Sequence, residues 1–241
     1  MILSRKKIII WTKKRQFKQP INKSWSSTRW IKSQLDKIKA SKKRKILDRN
    51  EKIIFELLNK KSKINKLLDI GGGLGSIYYS LVKKKINLDY YILEDSKFID
   101  KIKKIKLKKI NYIKKIPDKK FDIVLLLSSL HYIKNWKNLL KKILKNNPDY
   151  IAIIDLPVVN IPTFYGYQKY YSQEIKYRFQ NKKDFKLFFK NTKYILIKNI
   201  INLKSKVNQK KYFNKNFFNK KLFKIKSETF IFKHSKNKKL V

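Results

Sequence analysis

A cluster of glycines beside an acid is the part of the sequence whose residue types and spacing best suit chemistry. The chain of 241 residues has only five glycines, and four of them stand within five positions: Gly71, Gly72, Gly73 and Gly75. The apolar run 66–70 precedes them and contains Asp69. Glycine is required where the backbone adopts a positive φ or passes close to a ligand. The pattern Asp69-x-Gly71-x-Gly73-x-Gly75 therefore predicts a strand that leads into a ligand-binding loop.

A second acid ends the next apolar run along the chain. Glu94 follows the segment 90–93, 19 residues after Gly75, and Asp95 stands beside it as an alternative. A carboxylate accepts two hydrogen bonds side by side, which suits the paired hydroxyl groups of a ribose. Nicotinamide enzymes carry an acid at the same place, so Glu94 indicates a ribose without choosing between nucleoside cofactors.

The charge of Asp69 separates two classes of cofactor. The nicotinamide fingerprint G-x-G-x-x-G/A is matched imperfectly, since Ser76 stands at its third small position. A carboxylate at Asp69 would also repel a pyrophosphate, whereas it suits an ammonium group. The pattern resembles motif I of class I S-adenosylmethionine-dependent methyltransferases. The resemblance implies that the glycines pass under the methionine part of S-adenosylmethionine, that Asp69 helps to hold its ammonium end, and that Glu94 or Asp95 binds the ribose.

Two residues further along are candidates for the transfer step itself. The run from Phe121 to Trp136 resembles the family's fourth strand and the helix after it, and this resemblance places Ser128 beside the cofactor. A neutral imidazole can take a proton from a substrate hydroxyl near pH 7, so His131 is one candidate base. Ordering of the loop is its alternative role. Asp155, which follows the apolar run 150–154, is the second candidate base.

The segment 156–179 is polar and aromatic, and it is predicted as a loop. Because it follows Asp155, such a loop would overhang the active site and could form a lid over the substrate. Aromatic rings with polar edges suit the faces of sugars or nucleobases. Packing is the alternative role of these rings, because aromatic residues make up 14% of the chain.

A wider combination of residues narrows the resemblance. The residues and motifs concerned are Trp25, Trp30, the glycine cluster, Leu130-His131-Tyr132, Asp155-x-Pro157 and Gln168. Over about residues 25–190, this combination resembles a group of methyltransferases associated with bacterial surface-polysaccharide gene clusters. That implies a sugar hydroxyl or amine of a surface glycan, or of its precursor, as the methyl acceptor. The group's Tyr-Pro pair after the glutamine is absent, and Tyr177-Arg178-Phe179 stands nearby.

Strand-like and helix-like patterns alternate through residues 66–155. This alternation predicts a parallel sheet with right-handed crossovers, which is a doubly wound, mostly parallel, Rossmann-like α/β fold. Ligands of such sheets bind at the carboxyl ends of the strands, where Asp69, Glu94 and Asp155 are expected. The strand predicted at 110–113 lacks the acid that often recognises the adenine amine in the family, and Asp118 is the nearest substitute.

The rest of the chain is predicted to flank this sheet. Residues 1–62 are expected to form a basic N-terminal extension with two helices, at about 28–40 and 45–60. Residues 63–241 would form the methyltransferase domain, with a helix near 181–190 and the lid segment. Strands near 194–198 and 223–232 are expected to pair as an antiparallel hairpin at the sheet edge, with an irregular insertion at 199–221 between them.

The net charge of +47 comes from 63 basic residues against 16 acids, and 57 of the basic residues are lysine. Lysine is spread over nearly every segment, whereas proteins that read phosphates favour the arginine fork. The charge is therefore interpreted as a consequence of an AT-rich genome, because lysine has AT-rich codons, and not as a surface that evolved to bind phosphates. Weak affinity for nucleic acid or for an anionic membrane surface is expected as a by-product. An RNA or DNA methyltransferase, a dehydrogenase and a non-catalytic protein of methyltransferase fold remain alternatives, and the oligomeric state stays open.

Composition excludes several other classes of protein. The absence of cysteine rules out disulfides and thiolate metal sites, and two histidines argue against a protein-built zinc site. No metal is therefore expected. No segment reaches the ~18 apolar residues of a membrane span, and the N-terminus lacks the apolar core of a signal peptide. A cytoplasmic protein is the resulting prediction, and the resemblance implies that it acts on a small molecule or a glycan.

Overall fold

The computed structural model describes residues 24–44, 46–59, 64–103, 105, 109–170, 173–202 and 226–235. Its helices are α1 (Thr28–Lys43), α2 (Arg49–Asn59), α3 (Ser76–Lys83), α4 (Ser96–Ile102), α5 (Trp136–Lys145) and α6 (Lys182–Lys190). Its strands are β1 (Lys66–Ile70), β2 (Asp89–Leu93), β3 (Ile110–Ile113), β4 (Ile123–Leu127), β5 (Tyr150–Val159), β6 (Phe164–Tyr170), β7 (Gln173–Asn181), β8 (Tyr194–Asn202) and β9 (Lys226–His234). The basic tail 1–23 and most of the insertion predicted at 199–221 lie outside the described residues.

The first five strands form a parallel sheet in the order β3-β2-β1-β4-β5. The inner strands β1 and β4 are buried and mostly apolar, with Asp69 as the exception, because each face of the sheet is covered by helices. Leu68 and Val124 pack with α5 and α6 on one face, while Leu67 and Leu125 pack with α2 and α3 on the other. This arrangement confirms the predicted doubly wound, mostly parallel α/β fold.

The predicted antiparallel hairpin lies at the edge of this sheet. Strand β9 pairs antiparallel with β5, and β8 pairs antiparallel with β9. The strand expected at 194–198 continues to Asn202, and the strand expected at 223–232 is described from Lys226 to His234. The antiparallel edge of the fold is therefore confirmed, with a longer β8 and with a β9 that ends two residues later than the sequence indicated.

The prediction of a loop at 156–179 is wrong, because most of this segment forms strands. β5 runs on to Val159, and β6 pairs antiparallel with β7 from Phe164↔Phe179 to Tyr170↔Gln173. Its aromatic residues favour strands because they pack well on a pleated surface. Phe164 and Phe179 stack with ring centroids 4.8 Å apart across the hairpin.

The β6–β7 hairpin covers the carboxyl end of β4. Val158 of β5 pairs with β9 through Lys226 and with β7 through Gln180, so β9 and β7 occupy opposite edges of β5. On the same side of β5 as β7, strand β4 pairs with the earlier part of β5, and this pairing ends at Leu127↔Ile154. Strand β7 therefore lies beyond the end of β4, above the place where ligands of such sheets bind.

The predicted N-terminal helices are present, and each begins at a cap encoded in the sequence. The Ser27 hydroxyl accepts a hydrogen bond from the Trp30 N–H at 3.3 Å. The helix predicted over 45–60 begins instead at Arg49, because Asp48 and Glu51 cap each other's backbone N–H groups. The domain boundary predicted at residue 62 falls among residues outside the description and stays a prediction. None of the described helices is long and apolar enough to cross a membrane.

Candidate functional site

The glycine cluster forms the turn from β1 into α3. Gly71, Gly73 and Gly75 have φ values of 73°, 62° and 78°, a region that side chains with a Cβ rarely adopt. Gly75 is the N-cap of α3, and a Cβ there would lie 2.6 Å from Ile110 Cδ1. Backbone conformation and close packing thus both require glycine in this loop.

Asp69 lies under this loop with its side chain buried and 1% exposed. The Tyr90 hydroxyl donates a hydrogen bond to Asp69 Oδ2 at 2.7 Å. A Cβ on Gly72 would collide with the same carboxylate, so the loop backbone rests directly on it. Burial raises the pKa of Asp69 to about 7, and the Tyr90 hydrogen bond opposes this rise. Among the described residues, no group donates to Asp69 Oδ1.

Glu94 approaches the loop from the end of β2. Its Oε1 atom accepts a hydrogen bond from the Gly73 N–H at 2.9 Å. Burial raises the pKa of Glu94, backbone hydrogen bonds from Gly73 and Asp95 oppose the rise, and the charges of Asp69 and Asp95 add to it. The resulting pKa is about 7. The Asp95 carboxylate instead accepts a hydrogen bond from the Lys97 N–H and caps α4. The structure thus brings Asp69, Glu94 and the glycines together, and places Asp95 at a helix cap beside them.

Two hydroxyl groups that the sequence analysis missed face the same region. Tyr112 follows the register Asp69↔Ile92↔Tyr112, so its side chain leaves the same face of the sheet as Asp69. Its pKa is raised by burial and by the nearby charges of Tyr79, Glu94 and Asp69. Among the described residues, no hydrogen-bond partner is found for the Tyr112 Oη. A tyrosine in the weak strand 110–113 gave no sequence signal of this kind.

Ser129 is the second missed hydroxyl. A Cβ on Gly71 would lie 2.8 Å from the Cβ of Ser129, and the buried Ser129 Oγ also has no partner in the described part of the chain. The predicted residue Ser128 is exposed, and its N–H donates to the Ile154 carbonyl at 2.9 Å. Ser128 has a φ of 51°, and this turn of the backbone lets its neighbour Ser129 face the glycines.

Helix α1 covers the loop from the other side. A Cβ on Gly73 would lie 2.9 Å from Gln34 Oε1 and 3.3 Å from Trp30 Cη2. Trp30 also packs with Leu74 of the loop and with Phe98 of α4. The N-terminal helix, which the sequence indicated only as an extension, therefore forms part of the wall of the site.

His131 lies in a short 3-10 turn, Leu130–Tyr132, directly after β4. Its ring is buried, with its centroid 4.1 Å from the Tyr132 ring and 4.5 Å from the Tyr177 ring of β7. Tyr132 in turn packs against Trp25 at 4.9 Å. His131 therefore belongs to an aromatic group that joins the loop after β4 to the hairpin and to the N-terminal segment.

Asp155 lies at a bulge in β5 with a φ of 58°. Its carboxylate forms an ion pair with Arg49 at 3.3 Å and accepts hydrogen bonds from Asn50, Asn202 and Ser227. These partners come from α2, β8 and β9, so the structure does not group Asp155 with Asp69 and Glu94. Burial raises the pKa of Tyr177, and the charge of Asp155 adds to this rise, so Asp155 nevertheless lies near the aromatic group around His131.

The arrangement has a clear chemical capacity. The buried Asp69 and the half-buried Glu94, whose pKa values are both about 7, lie at a glycine loop. Two hydroxyls without partners among the described residues lie there as well. A ligand that offers a positive group to Asp69 and hydroxyls to Glu94 would satisfy these atoms, because a buried polar atom without a partner is costly. In the described part of the chain, no three acidic or histidine side chains converge as metal ligands would.

Comparison with known proteins gives similarities of fold. No protein-family model matches the chain, and the search of curated proteins found no match. A solved S-adenosylmethionine-dependent methyltransferase from Clostridium acetobutylicum ATCC 824 is similar, at 13% identity over 85% of this chain and 99% of that chain, with a TM-score of 0.49. Burkholderia thailandensis 1,6-didemethyltoxoflavin-N1-methyltransferase is similar at 12% identity over 88% and 84% of the two chains, with a TM-score of 0.49.

A third similar structure is magnesium protoporphyrin IX methyltransferase from Synechocystis PCC 6803. Its identity is 9%, the match covers 88% of this chain and 93% of that chain, and the TM-score is 0.49. At these identities the likeness concerns the course of the backbone alone. The function of this chain has to follow from its own residues.

Proposed function

We propose that the chain is an S-adenosylmethionine-dependent methyltransferase. The observation that carries this proposal is the buried Asp69 carboxylate, whose Oδ1 atom has no partner among the described residues and lies at the glycine loop. An ionised carboxylate in such a place is unfavourable unless a positive group meets it. S-adenosylmethionine carries an ammonium group, whereas the pyrophosphate of a dinucleotide would be repelled.

The other residues of the site fit the remaining parts of this cofactor. Glu94, held against the loop by the Gly73 N–H, would accept hydrogen bonds from the ribose hydroxyls. Tyr112 and Ser129 offer hydroxyls that can donate or accept. Trp30 and Gln34 of α1 lie over the loop and would exclude water from it.

When bound, S-adenosylmethionine supplies an electrophilic methyl group on a sulfonium. The chain's own contribution is to hold that group in line with the acceptor, and such positioning can supply about 7–11 kcal/mol of the barrier. His131 is proposed to take the proton of the acceptor, because it lies after β4 beneath the β6–β7 hairpin. Asp155 is the alternative base, although four side chains already bind its carboxylate.

The proposed acceptor is a sugar hydroxyl or amine of a surface glycan or of its precursor. Trp25, Tyr132 and Tyr177 form an aromatic group around His131. Aromatic rings with polar edges suit sugar faces, because a sugar ring has apolar faces and a rim of hydroxyls. The resemblance of residues 25–190 to methyltransferases of polysaccharide gene clusters points the same way.

Calorimetric titration tests the cofactor. Wild-type protein is expected to bind S-adenosylmethionine with a dissociation constant in about the micromolar range. Asp69→Asn should weaken binding by about tenfold to a hundredfold, because a hydrogen-bonded charge pair contributes roughly 1.5–3 kcal/mol. Asp36→Asn, on the exposed face of α1, is the matched control and should bind as the wild type does.

Two results would overturn the proposal. One is wild-type protein that does not bind S-adenosylmethionine at about millimolar concentration, or that binds NADH more tightly. The other is Asp69→Asn with unchanged affinity. The acceptor is tested separately, by transfer of a tritiated methyl group to nucleotide-linked sugars and to RNA in parallel. Incorporation of the label into RNA alone would show that the methyl acceptor is a nucleic acid and not a sugar.

A further inference from the structure

Arg178 of β7 is the largest fully buried side chain in the described part of the protein, with 1% of its surface exposed. Its Nη1 donates a hydrogen bond to the Ile133 carbonyl at 2.7 Å, and its Nη2 donates to the Leu130 carbonyl at 2.8 Å. Its guanidinium also lies over the Trp136 ring, with Cζ 5.1 Å from the ring centroid. One side chain of the hairpin thus forms hydrogen bonds with both ends of the turn that follows β4.

The composition of the chain makes this residue conspicuous. Only six of its 63 basic residues are arginine, so lysine is the usual basic residue of this protein. Lysine carries a single flexible ammonium, whereas the planar guanidinium presents donors in a fixed fork and stacks on aromatic rings. Bridging two carbonyls while lying on Trp136 requires that fork, which explains why position 178 is arginine.

The cation is buried without a carboxylate. Within the described residues, Arg178 forms no ion pair with an acid, and its Nε has no partner. Burial lowers the pKa of Arg178, and a hydrogen bond with the side chain of Tyr165 opposes this change. A guanidinium remains protonated at neutral pH. Burying a charge is costly, and here the two backbone carbonyls, the Tyr165 side chain and the Trp136 ring offset that cost.

That conformation is the turn that carries His131. The two carbonyls that Arg178 binds flank His131 and Tyr132, and the neighbour of Arg178 in β7, Tyr177, packs against the His131 ring at 4.5 Å. Strand β7 therefore contacts this turn in two ways: the Arg178 side chain binds its backbone carbonyls, and the Tyr177 ring packs against the imidazole of His131. We propose that Arg178 is a positioning residue, which fixes the turn 130–133 and thereby directs His131 towards the acceptor side of the site. The role of His131 in this statement rests on the methyltransferase function proposed above.

The histidine signals in NMR spectra test this proposal without any ligand. The chain has two histidines, His131 and His234, so their ring Cε1–H signals are resolved and are assigned with His131→Asn. Arg178→Lys keeps the charge and loses the fork. We expect its His131 signal to shift, and to split or broaden, while the His234 signal stays unchanged. Arg29→Lys, at an exposed position in α1, is the control and should leave both signals in place.

Any other result for the histidine signals would contradict the proposal. Unchanged signals of both histidines in Arg178→Lys would show that the turn does not depend on the fork. If Arg178→Lys loses the folded spectrum, Arg178→Gln is measured in the same way, and loss of the fold in both variants would make Arg178 a residue of global stability. Because the experiment contains no cofactor, a failure to bind S-adenosylmethionine would leave its result intact.

Discussion

Asp69 and Tyr90 set the chemistry of the site at the scale of single residues. The Tyr90 hydroxyl satisfies one carboxylate oxygen of Asp69, and the other oxygen is left for a ligand. Burial outweighs that hydrogen bond, so the pKa of Asp69 lies near 7 and not at its ordinary value of 3.8. The charge that would attract an ammonium group is therefore only partly developed in neutral solution.

A dependence of cofactor affinity on pH follows from this shift. Below the raised pKa values of Asp69 and Glu94, both acids are neutral, so Asp69 loses its attraction for an ammonium group and Glu94 becomes a weaker acceptor for ribose hydroxyls. Affinity for S-adenosylmethionine should therefore rise about tenfold between about pH 6 and pH 7.5, because ionisation of an acid is linked to binding. Calorimetry in buffers of different ionisation enthalpy measures both the affinity and the protons released.

Tyr90→Phe refines this prediction. Without the hydroxyl, Asp69 loses the one group that lowers its pKa, so the rise in affinity should move to higher pH. Tyr91→Phe, on the same strand but facing Phe121, is the control and should keep the wild-type curve. An affinity that is flat over this pH range, or that falls as the pH rises, would contradict the assigned role of Asp69.

At the scale of elements, the turn from β1 into α3 joins stability to function. Gly75 caps α3 with a φ of 78°, and Ile110 leaves no room for a Cβ. Gly75→Ala should lower the free energy of unfolding by about 1–3 kcal/mol, as residues forced into such backbone conformations typically do. Urea denaturation measures this loss.

The matched control for Gly75→Ala is its neighbour. Ser76→Ala changes the first residue of α3 at an ordinary helical position and should stay within about 0.5 kcal/mol of the wild type. Equal stability of Gly75→Ala and Ser76→Ala would mean that the loop tolerates a side chain. In that case the sequence argument from the four glycines would lose its physical basis.

Sequence patterns were sufficient for the elements whose signals are local. The apolar runs of β1, β4 and β5 stand out because strands buried on both faces are mostly apolar. The β6–β7 hairpin has no such local signal. Its register depends on pairing with the extension of β5, which is a contact distant in sequence, and polar residues interrupt its apolar pattern.

The same distinction holds for the residues of the site. Asp69, Glu94 and the glycines follow directly from strand ends and loop chemistry, so the sequence indicated them. Tyr112, Ser129 and Gln34 reach the site only through the packing of separate elements. Arg178 belongs to the same class, because its partners lie 45 and 48 residues away in the chain.

At the scale of the whole molecule, the charge of +47 predicts a general attraction to polyanions. RNA of random sequence should bind weakly, with an affinity that falls linearly with salt on logarithmic axes. Asp69→Asn should leave this binding unchanged, because the attraction comes from lysines spread over the surface. Filter binding at several salt concentrations measures it.

A different result would change the choice of acceptor. RNA binding that resists salt, or that strengthens when S-adenosylmethionine is added, would favour an RNA methyltransferase over one that acts on sugars. The sixteen acids are too few to balance the lysines, so the protein as a whole repels cationic acceptors.

A crystal structure of the protein with S-adenosylhomocysteine tests the central claim most directly. The proposed function predicts the ligand's ammonium nitrogen within about 3 Å of Asp69 Oδ1, and its ribose hydroxyls within the same distance of Glu94. Tyr90 should keep its hydrogen bond to Asp69 Oδ2. A ligand bound elsewhere, or a phosphate-bearing nucleotide bound at the glycine loop in its place, would contradict the assignment.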